Sequence, residues 1–238
     1  MRIPGLDLPV FPDADRLTLP FADVTLGGYL WRQPHAAPAA LLLHGWGQDA
    51  SDMACPARLF HQAGWHALSL SLRGWRGSSG CDDYGRSGPG DTLRVLNWLR
   101  DRPDVTSTVL LGFSLGGLVA LLTAVREHQA RLVVAVNAPT DLRGVYKATS
   151  SRILRRSYDA VLTEAQWEEG SPIRWAGRLR TPARVVVGTH DALCPPALGR
   201  EFARASGAGL LEVQGMAHLP SEAEWALIVR AALEGGAG

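Results

Sequence analysis

Short, nearly continuous apolar runs punctuate this chain at Ala39–Leu43, Trp65–Leu70, Thr108–Leu111, Leu132–Val136, Ala183–Val187 and Leu210–Val213. Runs of this length, too short for helices, are the pattern of strands buried on both faces of a largely parallel sheet. Between them, Ala54–Gln62, Thr92–Arg100, the stretch from Leu118 to Val125, Pro196–Ala205 and Ser221–Leu233 predict helices. In the second of these, Leu93, Leu96 and Leu99 share one face. Gly64 stands where the first helix should close, and Asp91 is the expected N-cap of the second. Ahead of the first apolar run, Leu17–Phe21 and Val24–Trp31 read as an antiparallel pair, with Gly27-Gly28 at a bend or bulge. Residues 1–16, rich in Pro and Asp, predict a segment that wanders over the surface.

The strand–helix rhythm breaks between Asn137 and Thr181 and then resumes to the end. This excursion holds Arg152-Ile-Leu-Arg-Arg156, Tyr158, Trp167 and Trp175, and predicts a small insertion of short helices at about 141–180. With no internal repeat and no linker between two cores, the expectation is a single α/β domain over residues 1–238, built on one doubly wound sheet.

Composition narrows the function classes. A formal net charge of +1 lacks the basic surplus of a nucleic-acid binder, and Lys147 is the only lysine. The three cysteines, Cys55, Cys81 and Cys194, form no C-x-x-C, so neither a disulfide framework nor a zinc site is expected. No apolar segment is long enough to span a bilayer; the run from Leu118 ends at Arg126 and Glu127. The N-terminus lacks a signal-peptide apolar core, which makes a cytoplasmic location the expectation.

The chemistry is concentrated after Thr108–Leu111. Gly112-Phe-Ser114-Leu-Gly116 fits G-x-S-x-G in its required setting of strand, sharp turn and helix. Such a turn admits no side chains beside the serine, lifts the Ser114 hydroxyl clear of the sheet and aims the Leu115 N–H at the same space. A serine hydroxyl near neutral pH needs a base within hydrogen-bond reach, itself oriented by a third group. His218, directly after the last strand, is the candidate base; His35, His61, His66 and His128 fall in elements facing away, and His190 neighbours the acid. Asp191, after Val185-Val-Val-Gly-Thr-His, is the candidate acid, with Asp141 after the preceding strand as its rival. The order Ser114, Asp191, His218 is the one used by α/β-hydrolases. Trp46, in the glycine-rich loop after Leu43, is the candidate second oxyanion donor beside Leu115, and His44 is expected to hold that loop. The indole of Trp46, with Tyr158 and Trp167 from the insertion, would wall a small acyl pocket; the alternative is that the insertion aromatics only anchor it to the sheet.

His44-Gly-Trp-Gly, Gly-Phe-Ser-Leu-Gly-Gly117, Gly188-Thr-His-Asp191 and Gly215-Met-Ala-His218 resemble the α/β-hydrolase superfamily, over nearly the whole chain from about residue 17. Leu72-Arg-Gly-Trp-Arg-Gly-Ser-Ser-Gly80 and Ser171-Pro-Ile-Arg are similar to the compact branch that groups dienelactone hydrolase with the prolyl-oligopeptidase catalytic domain. The resemblance implies an eight-stranded, mostly parallel sheet, no metal and no organic cofactor. Dienelactone hydrolases use a cysteine nucleophile where this chain has Ser114, so that specific activity is not expected; no β-propeller precedes the domain in this sequence, so the gating that restricts prolyl oligopeptidases to peptides is not expected either. The expected function is a serine hydrolase acting on a small-molecule ester, a short-chain carboxylesterase, without nucleic-acid or membrane partners. Thioesterase, lactonase, perhydrolase and aminopeptidase activities stay open, as does a non-catalytic ligand-binding relative, because the fold does not fix the substrate.

Overall fold

The computed structural model describes residues 7–126 and 130–235. His128, Glu127 and the first six residues of the N-terminal segment lie outside the described residues. Eight strands form one sheet: β1 (Asp15–Pro20), β2 (Thr25–Trp31), β3 (Ala37–Leu43), β4 (His66–Leu70), β5 (Val105–Phe113), β6 (Leu132–Val136), β7 (Ala183–Gly188) and β8 (Gly209–Val213). Their order across the sheet is β1-β2-β4-β3-β5-β6-β7-β8. β1 pairs antiparallel with β2, and β2 with β4, whereas every pairing from β4 to β8 is parallel.

The continuous apolar runs are explained by burial on both faces. On β3, Ala39, Leu41 and Leu43 enter one core while Ala40 and Leu42 enter the other. β6 repeats the alternation, with Val133 and Ala135 on the first side and Leu132, Val134 and Val136 on the second. Helices α2 (Gly88–Arg100), α3 (Leu115–Ala124) and α7 (Pro196–Ser206) cover the first face, and α1 (Ala54–Gln62) and α8 (Glu222–Glu234) the second. The predicted excursion is helical: α4 (Leu142–Ala148), α5 (Arg152–Val161), α6 (Glu164–Glu169) and a 3₁₀ stretch at Pro172–Arg178.

Three local expectations change. Strand β1 meets β2 in unbroken register, so Gly27 and Gly28 mark no bulge. They are needed because other backbone crowds them: an added Cβ would fall 2.3 Å from the Gly77 carbonyl oxygen and 2.1 Å from that of Ser69. Asp91 is not a cap, since α2 begins at Gly88, and its carboxylate instead takes two hydrogen bonds from Arg73. β5 starts at Val105, ahead of the apolar run, because its first residues pair at the less buried end of the sheet.

The order reverses beside β3: the chain leaves it for β4 on one side and returns to β5 on the other. Ligands of open α/β sheets bind in the crevice beyond the strand C-termini at such a reversal, where the loops after β3 and β5 face each other. No helix among the described residues is long and apolar enough to cross a membrane.

Candidate active site

Ser114 sits between β5 and α3 at φ 51°, ψ −116°, a strained conformation for a residue with a side chain. Neighbouring backbone holds it there. The Ser114 N–H donates to the Val136 carbonyl at 2.8 Å, and a Cβ on Gly112 would lie 2.1 Å from the Gly116 carbonyl oxygen. Gly116 is pressed against β3, with its N–H donating to the His44 carbonyl at 3.0 Å. Leu115 opens α3, so its N–H belongs to the first turn, which has no intrahelical acceptor.

Loops from three other strand ends converge on this serine. The Ser114 hydroxyl and His218 Nε2 are 3.0 Å apart, and His218 Nδ1 lies 2.8 Å from Asp191 Oδ2. The Asp191 side chain is wholly shielded from solvent, while that of His218 remains 19% exposed. A buried carboxylate needs donors, and Asp191 Oδ1 accepts the backbone N–H groups of Leu193 and Cys194 at 2.8 and 2.9 Å. The imidazole also leans on the Phe113 ring, with centroids 5.2 Å apart. Asp141, the rival acid, stands just ahead of α4 and lies over Gly144, where an added Cβ would meet its carboxylate at 2.7 Å. His190 is exposed, and its N–H is taken by the Met216 carbonyl.

Asn137, which sequence reasoning passed over, ties these loops together. It is 2% exposed, at φ 47°, a left-handed conformation that asparagine tolerates better than most residues. Its side-chain oxygen accepts the Gly188 N–H at 2.8 Å, and its amide donates to the carbonyls of Ala217 and His218 at 3.0 and 2.7 Å. Only an end-of-strand asparagine beside a break in rhythm hinted at it.

His44 is fully buried at the head of the loop after β3. Its Nδ1 lies 2.8 Å from the Gly45 carbonyl, and Nε2 accepts the Leu72 N–H at 2.9 Å, the pattern of a neutral imidazole protonated at Nδ1. Burial pushes its pKa down to about 4. Trp46, two residues on, is 37% exposed, stands edge-on to Trp75 and donates its indole N–H to Asp82 Oδ2 at 3.0 Å.

The insertion aromatics do not form the expected pocket wall. Tyr158 is fully buried, its hydroxyl 2.7 Å from that of Tyr84, because α5 turns its apolar face onto the core. Trp167 packs edge-on against Tyr146 and Tyr158, beneath the Arg143 guanidinium. These contacts anchor the insertion. Among the described residues, one grouping brings possible metal ligands together, Asp191, Cys194 and His218, with ligand atoms within 4.8 Å. Burial pushes the Cys194 thiol well up, and Asp191 already holds His218, so the set offers no ready thiolate.

Residues 40–179 match the alpha/beta hydrolase family. The chain belongs to that family. This alpha/beta hydrolase is similar in structure to the esterase Pf2001 of Pyrococcus furiosus, with a TM-score of 0.80 at 18% identity, covering 100% of this chain and 98% of that one. It is similar to Est1E of Butyrivibrio proteoclasticus, solved with ferulic acid bound, at TM-score 0.76 and 16% identity over 93% of this chain and 100% of that one. A puromycin-hydrolyzing peptidase of Mycobacterium tuberculosis superposes at TM-score 0.76 and 19% identity, over 94% of this hydrolase but 38% of the peptidase. In sequence, 79 residues are 30% identical to an uncharacterized protein of Rickettsia prowazekii (strain Madrid E), a match spanning 33% of each protein.

Proposed function

We propose that this alpha/beta hydrolase is a serine carboxylesterase that forms an acyl-enzyme on Ser114. One observation carries the reading: the unbroken chain from the Ser114 hydroxyl through His218 to the buried Asp191, with links of 3.0 and 2.8 Å. His218 Nε2 takes the hydroxyl proton as Ser114 attacks the ester carbonyl, and Asp191 holds the imidazole in the tautomer that leaves Nε2 free to accept. The N–H groups of Leu115 and Trp46 stabilise the oxyanion, each such donor being worth ~3 kcal/mol of barrier. The imidazolium then protonates the leaving alkoxide, and water, deprotonated by the same histidine, clears the acyl group.

A short acyl chain is supported by the bulk of the Trp46 indole on the loop that carries the second proposed oxyanion donor. The test is hydrolysis of acetyl to decanoyl nitrophenyl esters, with fluorophosphonate labelling as an independent readout. Ser114→Ala should lose both labelling and at least ~10³-fold in kcat/KM. Asp191→Asn should lose up to ~10⁴-fold in kcat, while Asp141→Asn stays within ~10-fold of wild type. Activity retained in Ser114→Ala would refute the mechanism, and a preference for decanoyl esters would refute the short chain.

A further inference from the structure

Several carboxylates stand on and around the loop between β4 and α2, and nearly all of them have a guanidinium. Asp23 and Asp91 share Arg73 and Arg94, Asp49 faces Arg76, and Asp83 faces Arg86. Asp82 differs: among the described residues it forms no ion pair. Its carboxylate is half-buried and accepts two hydrogen bonds, from the Trp46 indole at 3.0 Å and from the Tyr84 N–H at 2.9 Å. A carboxylate has about four acceptor positions, so capacity is left for a further donor. Burial pushes the Asp82 carboxyl above the usual carboxylate range, and a neighbouring cation would relieve that cost.

The position of Asp82 links it to the reacting centre. Its indole partner belongs to the residue proposed as an oxyanion donor, and Asp82 lines a cleft together with Leu115, the residue that follows Ser114 in the chain. That cleft, about 10 Å³, is the size of one water or one primary ammonium head, too small for a trimethylammonium group. Arg73 also lines it, but that guanidinium is bonded on both sides to Asp91 and Asp23.

We infer that Asp82, framed by the Trp46 indole, binds a primary ammonium carried by the ester substrate. The inference rests on the proposed hydrolase and adds a substrate class to it: esters with a protonated amine near the scissile carbonyl. Charge-assisted hydrogen bonding to a half-buried carboxylate supplies the selectivity, and the aromatic edge keeps competing water away.

The experiment uses three fluorophosphonates of equal length, ending in a methyl group, a primary ammonium or a trimethylammonium. Wild-type Ser114 should react about tenfold faster with the primary ammonium than with either of the others. In Asp82→Asn, which keeps an acceptor for the Trp46 indole, the ratio should fall toward one; in Glu212→Gln, where the lost carboxylate faced Arg200 away from that cleft, it should persist. Equal labelling of wild type by all three probes would overturn the ammonium site and leave the hydrolase standing. Failure of every probe to label Ser114 would overturn the hydrolase instead. The ammonium site is then read separately, by the NMR signal of the Trp46 indole N–H during titration with n-butylammonium. A saturable shift, absent in Asp82→Asn, supports the site, and an unmoved signal refutes it.

Discussion

Every polar group of the Asn137 side chain is engaged: the oxygen with Gly188, 51 residues away, and the amide with Ala217 and His218, up to 81 residues away. Asn137 thus couples the strand that carries the acid loop to the loop that carries the histidine, while its neighbour Val136 receives the Ser114 N–H. Asn137→Ala should leave the Gly188 N–H without its acceptor and cost about 1–3 kcal/mol of stability. As a positioning residue it should also lower kcat by about tenfold or more with KM little changed, read by steady-state kinetics beside thermal melting. A lowered melting temperature with unaltered kcat would reduce Asn137 to a structural role. That Ser114, Asp191 and His218 stand just past strand ends on one rim was legible in the sequence, because each follows an apolar run by three to five residues. Asn137 was not, because its partners are set by three loops meeting in space. Tyr158 and Trp167 misled for a related reason: an aromatic in an insertion looks the same whether it faces a substrate or packs inward.

Glycines decide how closely elements approach. α3 can reach β3 only because Gly116 has no side chain: an added Cβ would lie 2.3 Å from the Leu43 carbonyl oxygen and 2.7 Å from that of His44. Those are backbone atoms of a central strand and its loop, and they cannot yield without moving the proposed oxyanion donors. Gly116→Ala should therefore destabilise by ~2 kcal/mol, lowering Tm by ~4–8 °C, and depress ester hydrolysis as well. Gly90 offers the opposite case, exposed in α2 with open space around its Cβ position. Gly90→Ala should stabilise by ~0.5–1 kcal/mol through helix propensity alone. Calorimetry on the pair tests both signs. The start of α2 shows why helix limits were harder to read than helix existence. Gly88-Pro89-Gly90 reads as loop, yet Pro suits a first helical turn, and Gly88 is required where Val119 of α3 lies 2.7 Å from its Cβ position.

Across the whole molecule, the alternation of apolar runs and helical stretches was enough to read one doubly wound α/β sheet with a helical insertion before β7, and the resemblance supplied the count of eight strands. The order of strands beside β3 came from the structure alone, since periodicity says which faces are buried and not which strands are neighbours. The buried network around His44 adds a property of the molecule as a whole. Folded, this imidazole resists protonation until about pH 4; unfolded, it takes a proton near its ordinary value of 6.5. The stability it contributes is complete above pH ~6.5 and is lost as pH falls toward ~4, by on the order of 3 kcal/mol across the window. Urea denaturation at pH 7.5 and pH 4.5 should show this loss in wild type and a smaller one in His44→Asn. Equal losses in both would assign the acid sensitivity to other groups.

His218 follows β8, and Ser114 stands 104 residues earlier. A nascent chain that has emerged only as far as α7 holds the serine and the aspartate but not His218, so on the proposed mechanism it is inert toward esters. Turnover begins when β8 docks along β7 and carries the histidine into place. Hydrolysis during refolding is then a clock for that last docking event, blind to any collapsed form that has secondary structure but an unpaired final strand.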